Sequence, residues 1–477
     1  MMKRILFLLA GLSITILLSS HPWKPSHYVI IDTDGGIDDM RAITIMLASP
    51  DIRVLAITVS PGVLSSNDVY LKVKSLLNSC HHEGIPVGIN RSASFKSPEY
   101  KVALNAQWGE ERNIDPASAP DCTSLIKEIL SVEKTKISFI CIGGMSTAYS
   151  ALKDGPLFRQ QVKEILWSMD GSNVSGGFNY NIDPSSAKKI LKEDVPVSLV
   201  RSFTDSLFFN ENLIKDISEV KTQYAEKLTE YFRSDNARGH SFTYCATDEM
   251  VALFLQFPTI FKADSIVKNI EYFSTEKKLL SDDLIKMLKG ETVPRNQVIK
   301  DLPLDPSFYF DDIKPSVTEI VTRYGIDEWS SGVIANELHR HLGVFAIIGV
   351  KMGIRAREYF DTGVDEFTVT SFAGSDPPLS CMNDGLQVST GATPGHGLLT
   401  VRNDTVLSPS AQFTYLNRRI RLTLKPEIAS KISSELKEIN FVYGLDSNIY
   451  WELVRKNTIK YWKDLDREQI FIIDDIR

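Results

Sequence analysis

Four carboxylates crowd into eight positions near the start of this chain: Asp32, Asp34, Asp38 and Asp39, with Gly35 and Gly36 between them. Ionised carboxylates at such spacing repel, so each must gain a proton, point into solvent or share a counter-ion. A hard divalent cation such as Ca²⁺ resolves the conflict by taking several oxygens at once. Tyr28-Val29-Ile30-Ile31 before the cluster reads as a buried strand, and Met40 to Ala48 after it as a helix with an apolar stripe. The acids therefore fall where a strand ends and a helix begins. In a parallel α/β sheet that is the crevice where ligands bind. The bland alternative is an acidic helix cap with a solvated turn; the strand–Gly-Gly–helix context argues against it.

A second group with chemical capacity lies far downstream. His339 and His341 stand two apart at the predicted start of a helix, and Cys381 and Asp384 follow on a later segment. Imidazole and thiolate suit Zn²⁺ or another transition metal. The alternative is a histidine pair flanking a helix and one buried free cysteine. His396 sits in a nearby Gly-rich turn.

The elements that must carry these residues follow from pattern. A chain of 477 residues is too long for one ordinary core. A hydrophobic content of 43% and a charged content of 24% are those of a soluble globular protein. The net charge of -7 and the lack of a basic, aromatic-interleaved patch argue against a nucleic-acid partner. From Tyr28 to about residue 275, strand-like and helix-like segments alternate, including Val54–Val59, Ile137–Ile142 and Val195–Val200. Such alternation predicts α/β architecture, a mostly parallel sheet with helices on both faces. Residues 275–325 read as charged helices and a connector broken by Pro294, Pro303, Pro306 and Pro315. A smaller α+β domain is expected from Ile326 on. Its first helix is predicted over Trp329–Tyr359, with strands at Phe367–Phe372 and Cys381–Val388.

Met1-Met2-Lys3-Arg4 and the apolar run Ile5–Leu18 have signal-peptide form, with cleavage expected after Ser20. The predicted organisation is thus a signal peptide over 1–20, a first domain over 27–320 and a second over 326–477. Export to the periplasm or the extracellular space follows, with no membrane association after cleavage; an uncleaved anchor is the alternative. The five cysteines are odd in number and scattered, unlike a disulfide framework.

Asp32-x-Asp34-x-Gly36-x-Asp38-Asp39 after an N-terminal strand resembles the calcium-dependent nucleoside hydrolases of the inosine–uridine-preferring type. Further segments agree in order: Ile137–Thr147, Phe178-Asn179 with Asp183-Pro184, and Ala246–Ala252. The resemblance covers roughly residues 27 to 275. It implies that Asp34 activates the attacking water and, with Asp39, Asp248 and the Ser146 carbonyl, binds Ca²⁺. It implies Asp38, Asn179 and Asn173 as contacts for a small-molecule ribosyl substrate. The chain departs from the family where Val63, Gly177 and Thr247 replace its Asn, Glu and His. Three readings follow: hydrolysis of an N-ribosyl bond, binding of a sugar or nucleoside-like ligand without turnover, and a catalytically dead scaffold. His240 is a candidate to replace the lost acid. Residues 329–460 are similar to the E-type domain of formylmethanofuran dehydrogenase, through His339-Arg340-His341-Leu342-Gly343, Cys381-Met382-Asn383-Asp384 and Thr390–His396. That resemblance implies His339, His341 and Cys381 as Zn²⁺ ligands. Gly343 and Ala392 stand where the family has further cysteines, which weakens a redox role. Assembly into a homo-oligomer is left open.

Overall fold

The computed structural model describes residues 24–110, 114–169, 175, 177–201, 209–237, 245–267, 270–275, 280–293, 298–299 and 302–476. The expected signal peptide, Asn173 and His240 lie outside them. The chain divides into two compact units, Pro25–Arg295 with Glu358–Asp361, and Asn296–Arg357 with Thr362–Arg477.

The first unit is built on an eight-stranded sheet. In chain order the strands are β1 (His27–Thr33), β2 (Ile52–Val59), β3 (Val87–Ile89), β4 (Ile137–Cys141), β5 (Val162–Met169), β6 (Val197–Arg201), β7 (Phe261–Val267) and β8 (Ile270–Thr275). Their spatial order is β3-β2-β1-β4-β5-β6-β8-β7. All pairings are parallel except β7 against β8. β2 is buried along its whole length, as its run of apolar and β-branched residues demands when helices cover both faces. Helices α1 (Ile37–Ala48), α2 (Ser66–Ser79), α3 (Cys122–Val132) and α4 (Ser146–Lys153) belong to the crossovers. Ser65 caps α2 by accepting the Asp68 N–H, and Asp121 caps α3 in the same way through Thr123 and Ser124.

The order of strands reverses at β1, which has β2 on one side and β4 on the other. The two crossovers leaving this point run in opposite directions, so a crevice opens at the carboxyl ends of β1 and β4. The sequence places its four acids there. Helix α1 begins at Ile37, earlier than the predicted Met40, so Asp38 and Asp39 lie in its first turn.

The second unit is α+β, with a five-stranded sheet of β9 (Thr368–Ser371), β10 (Leu399–Val401), β11 (Ser410–Tyr415), β12 (Arg418–Leu424) and β13 (Phe471–Ile476). The spatial order is β10-β9-β11-β12-β13. Three expectations change here. The helix predicted over Trp329–Tyr359 is split between Lys314–His339, itself kinked at Gly325 where φ is 86°, and Val344–Phe360. Arg340 takes a left-handed φ of 69° and ends the first of them. His339 therefore closes a helix instead of opening one. Cys381–Val388 is not a strand. Helix Met382–Thr390 begins after Cys381 and buries Met382, Gly385, Leu386, Ser389 and Thr390, the spacing of a helical face. Short apolar runs do not separate the two periods, and packing decides. Pro315, read as a breaker, lies in the first turn of helix Lys314–His339, where a missing N–H costs nothing. The stacked rings of Trp329 and Trp462, 5.1 Å apart, anchor this unit's core. No helix among the described residues is long and apolar enough to cross a membrane.

Candidate active site

The crevice is assembled from one turn, two loops and one distant segment. β1 ends at Thr33, and Gly35, with φ +84°, turns the chain into α1. Asp39 locks the turn: its Oδ1 accepts the Thr33 hydroxyl at 2.6 Å and the Asp34 N–H at 3.0 Å. Asp32 is fully buried behind the turn. It accepts hydroxyls from Thr58 at 2.7 Å and Ser60 at 3.1 Å. Burial still pushes its carboxyl up to about 7.

Asp34 is the exceptional group. Its side chain is buried, and among the described residues neither carboxylate oxygen meets a hydrogen-bond partner of normal geometry. The loop after β2 packs against it at Gly62, where any Cβ would collide with the carboxylate. Across from it, a Cβ at Gly143 would stand 3.1 Å from the Asp34 Cβ. Burial, then repulsion from Asp39 and Asp38, raises its carboxyl well above the usual range. A carboxylate so placed lacks something to bind.

Asp248 arrives from the segment just before helix Glu249–Gln256. Asp38, Asp39 and Asp248 each offer an oxygen, all within 4.8 Å of one another. Asp39 is pushed up to about 6, by burial first and by Asp38 second. Asp248 is raised further by burial, Asp38 and Asp39. Asp34, expected in the same set, stands beside this triple and outside it by that measure.

A cavity of about 610 Å³ opens over these acids. Its apolar wall includes Val63, Val102 and the rings of Tyr100 and Phe178, which lie 6.2 Å apart. Asn179 lines the wall, and its amide donates to the carbonyls of Ile142 at 3.2 Å and Ser168 at 3.4 Å. Thr247, which stands in place of a histidine, donates its hydroxyl to Asp38. Ser146 opens α4, with its own hydroxyl accepting the Asn90 amide at 3.3 Å, and it does not line the cavity. Sequence reading missed Arg41, which borders the cavity, and Glu249, with which it forms a buried ion pair. A lone arginine inside an apolar helix stripe was the available signal. Its partner, 208 residues away, was not readable.

In the second unit, His339 Nδ1 hydrogen-bonds the Asp384 carboxylate at 2.7 Å, and the His339 and His341 rings lie 4.2 Å apart. Their Nε2 atoms converge on Gly343, 3.4 and 3.5 Å from where a Cβ would stand. His339 Nε2 is buried with no hydrogen-bond partner among the described residues. The Cys381 thiol is buried and pushed up to about 11, by burial and then by Asp384. Among the described residues, His339, His341 and Cys381 are not in a group of three with ligand atoms within 4.8 Å. His396 instead faces Asp365 at 3.3 Å.

Comparison with known proteins gives two family matches. Residues 29–301 match the family described as inosine-uridine preferring nucleoside hydrolase. Residues 338–444 match that described as FmdE, molybdenum formylmethanofuran dehydrogenase operon. A relative named probable uridine nucleosidase 1, from Oryza sativa subsp. japonica, is 22% identical over 280 residues, 56% of this chain and 84% of its own. The inosine-uridine preferring nucleoside hydrolase of Leishmania major is 22% identical over 272 residues, 51% of this chain and 83% of its own. A solved inosine-guanosine nucleoside hydrolase aligns at a TM-score of 0.47 and 18% identity, over 56% of this chain and 100% of that one.

Proposed function

The chain belongs to the inosine-uridine preferring nucleoside hydrolase family, and from that premise we propose that its first unit hydrolyses the N-ribosyl bond of a nucleoside or related ribosyl compound with the help of calcium. The observation that carries this reading is Asp34, a buried carboxylate whose two oxygens meet no hydrogen-bond partner among the described residues, beside a triple of acids. An all-oxygen donor set of this density fits a hard cation. Asp39, Asp248 and an oxygen of Asp34 would hold it, with the Ser146 carbonyl as a further ligand. When bound, such an ion lowers the pKa of water and fixes it for attack.

The other steps fall to the chain's own residues. Asp34 takes the proton of the attacking water. Asp38, steadied by Thr247, receives ribose hydroxyls, and Asn179 borders the sugar. The acidic floor favours the oxocarbenium-like transition state. Tyr100 and Phe178 offer ring faces to the leaving base. Thr247 supplies no acid near neutrality, which favours bases that depart readily. The competing reading is capture of a sugar-like ligand without turnover; the apolar Val63 in the cavity wall favours it. Ribose release from a panel of purine and pyrimidine ribonucleosides, with calcium or with chelator, separates the two. Chelator-sensitive release supports hydrolysis. Tight binding without release of sugar from any substrate supports capture.

For the second unit the proposal is a Zn²⁺-type site at His339 and His341, with Cys381 brought in on binding. The His339 Nε2, with no hydrogen-bond partner among the described residues, and the hydrogen bond to Asp384 support it. Zinc titration of the protein and its His341→Ala variant tests this: binding that survives the substitution removes the site. Export is likewise a proposal resting on residues 1–20, and N-terminal sequencing of protein from the native host checks it. An intact Met1 on a soluble cytoplasmic chain would overturn it.

A further inference from the structure

Arg41 lies two residues beyond Asp39 on α1, and Glu249 directly follows Asp248. Both side chains are buried, and the Arg41 Nε donates to Glu249 Oε1. The pair does more than cancel charge. The second Glu249 oxygen accepts the Thr247 N–H at 2.9 Å. A second guanidinium nitrogen of Arg41 donates to the Cys245 carbonyl at 2.8 Å. The guanidinium carbon sits 4.7 Å from the Phe209 ring centre and 5.7 Å from that of Phe232. Residues 245, 247 and 249 are therefore all tied to this pair, directly or through Glu249. The one acid between them, Asp248, faces the other way, toward Asp38 and Asp39.

The arrangement solves a specific problem. Asp248 must approach Asp38 and Asp39, which repel it. A buried guanidinium fork, fixed between aromatic faces, holds three successive alternate positions at once, which a lysine's point charge does not do.

We infer that the Arg41–Glu249 pair is a positioning clamp that sets Asp248 against Asp38 and Asp39 and thereby determines the affinity of the acidic site for its cation. The inference rests on the proposed reading of those acids as a cation site. Arg41 borders the cavity, but neither member of the pair belongs to the acidic triple; the clamp acts on the ion through the backbone of residues 245–249.

The test is calcium binding by calorimetry, with the melting temperature of the chelated protein as the check on folding. Replacing both members of a buried pair with apolar groups of similar size is often neutral for stability. The variant is therefore the double substitution Arg41→Met with Glu249→Leu. Its Kd for calcium is expected to rise by roughly 10- to 100-fold, the usual cost of losing an outer support of a metal ligand, while the chelated protein still melts cooperatively. Arg41→Lys keeps the charge and loses the fork, so its Kd should rise by a smaller factor. A folded double variant with an unchanged Kd overturns the clamp. If the double variant fails to fold, the lysine variant decides, and an unchanged Kd again overturns it. Wild-type protein that binds no calcium removes the reading of the acids itself, and the clamp with it, an outcome distinct from either of the others.

Discussion

At the scale of single residues, the site is a problem of charge. Asp34 is buried beside three other acids, and among the described residues its oxygens meet no hydrogen-bond partner of normal geometry. A group in that position binds a proton or a cation more readily than a solvated carboxylate does. Asp34→Asn keeps the shape and removes the base. Turnover should fall by at least roughly 100-fold, the low end for loss of a positioned general base, with kcat against KM over a nucleoside series as the measurement. A loss confined to KM would assign Asp34 to binding alone. Asp39→Ala removes an oxygen from the triple and also the acceptor that locks the Thr33–Asp34 turn. Calcium binding by calorimetry should disappear in this variant; retained stoichiometry would place the ion elsewhere.

At the scale of elements, close backbone approach makes the site. Gly62, in the loop after β2, lets that loop lie against the Asp34 carboxylate. A methyl group there must displace either the loop or the acid. Gly62→Ala is expected to cost about 1–3 kcal/mol of stability, the range for overpacking a tight site. It should also lower turnover far more than it lowers the melting temperature. Wild-type activity in this variant would mean that Asp34 can move without consequence. The split of the predicted helix at Arg340 has a similar lesson. It turns His341 back toward His339, so the two rings meet across a helix end instead of along one helix face.

At the scale of the whole molecule, the acids trade stability for function. Asp39 is pushed up to about 6, and Asp32 and Glu249 to about 7. In the unfolded chain they titrate near the ordinary values of 3.8 and 4.5. Between roughly pH 4 and 7 the folded chain therefore holds more protons than the unfolded one, and stability falls as pH rises through that window. With chelator present, the melting temperature should drop from pH 5 to pH 7.5. Calcium should raise it more at pH 7.5 than at pH 5, because the ion competes with the protons held at low pH. A chelated protein equally stable at both values would show that the buried acids titrate normally.

The alternation of apolar runs, the Gly-Gly turn and the order of the acidic motifs are local signals. They made the parallel sheet and the crevice at the end of β1 legible before any coordinates, because each depends on neighbours within a few positions; the roles expected of Asp34 and Asp39 came from the resemblance. Resemblance then joined Asp248 to a cluster more than two hundred positions away. What local signals do not carry is pairing across such distances and the choice between periods in short segments. The Arg41–Glu249 clamp, the Thr247 hydroxyl on Asp38, the helix at Met382–Thr390 and the break at Arg340 all belong to that class. Each was decided by which surface a segment buries and which charge it must face once the chain has closed on itself, and only the tertiary structure contains that information.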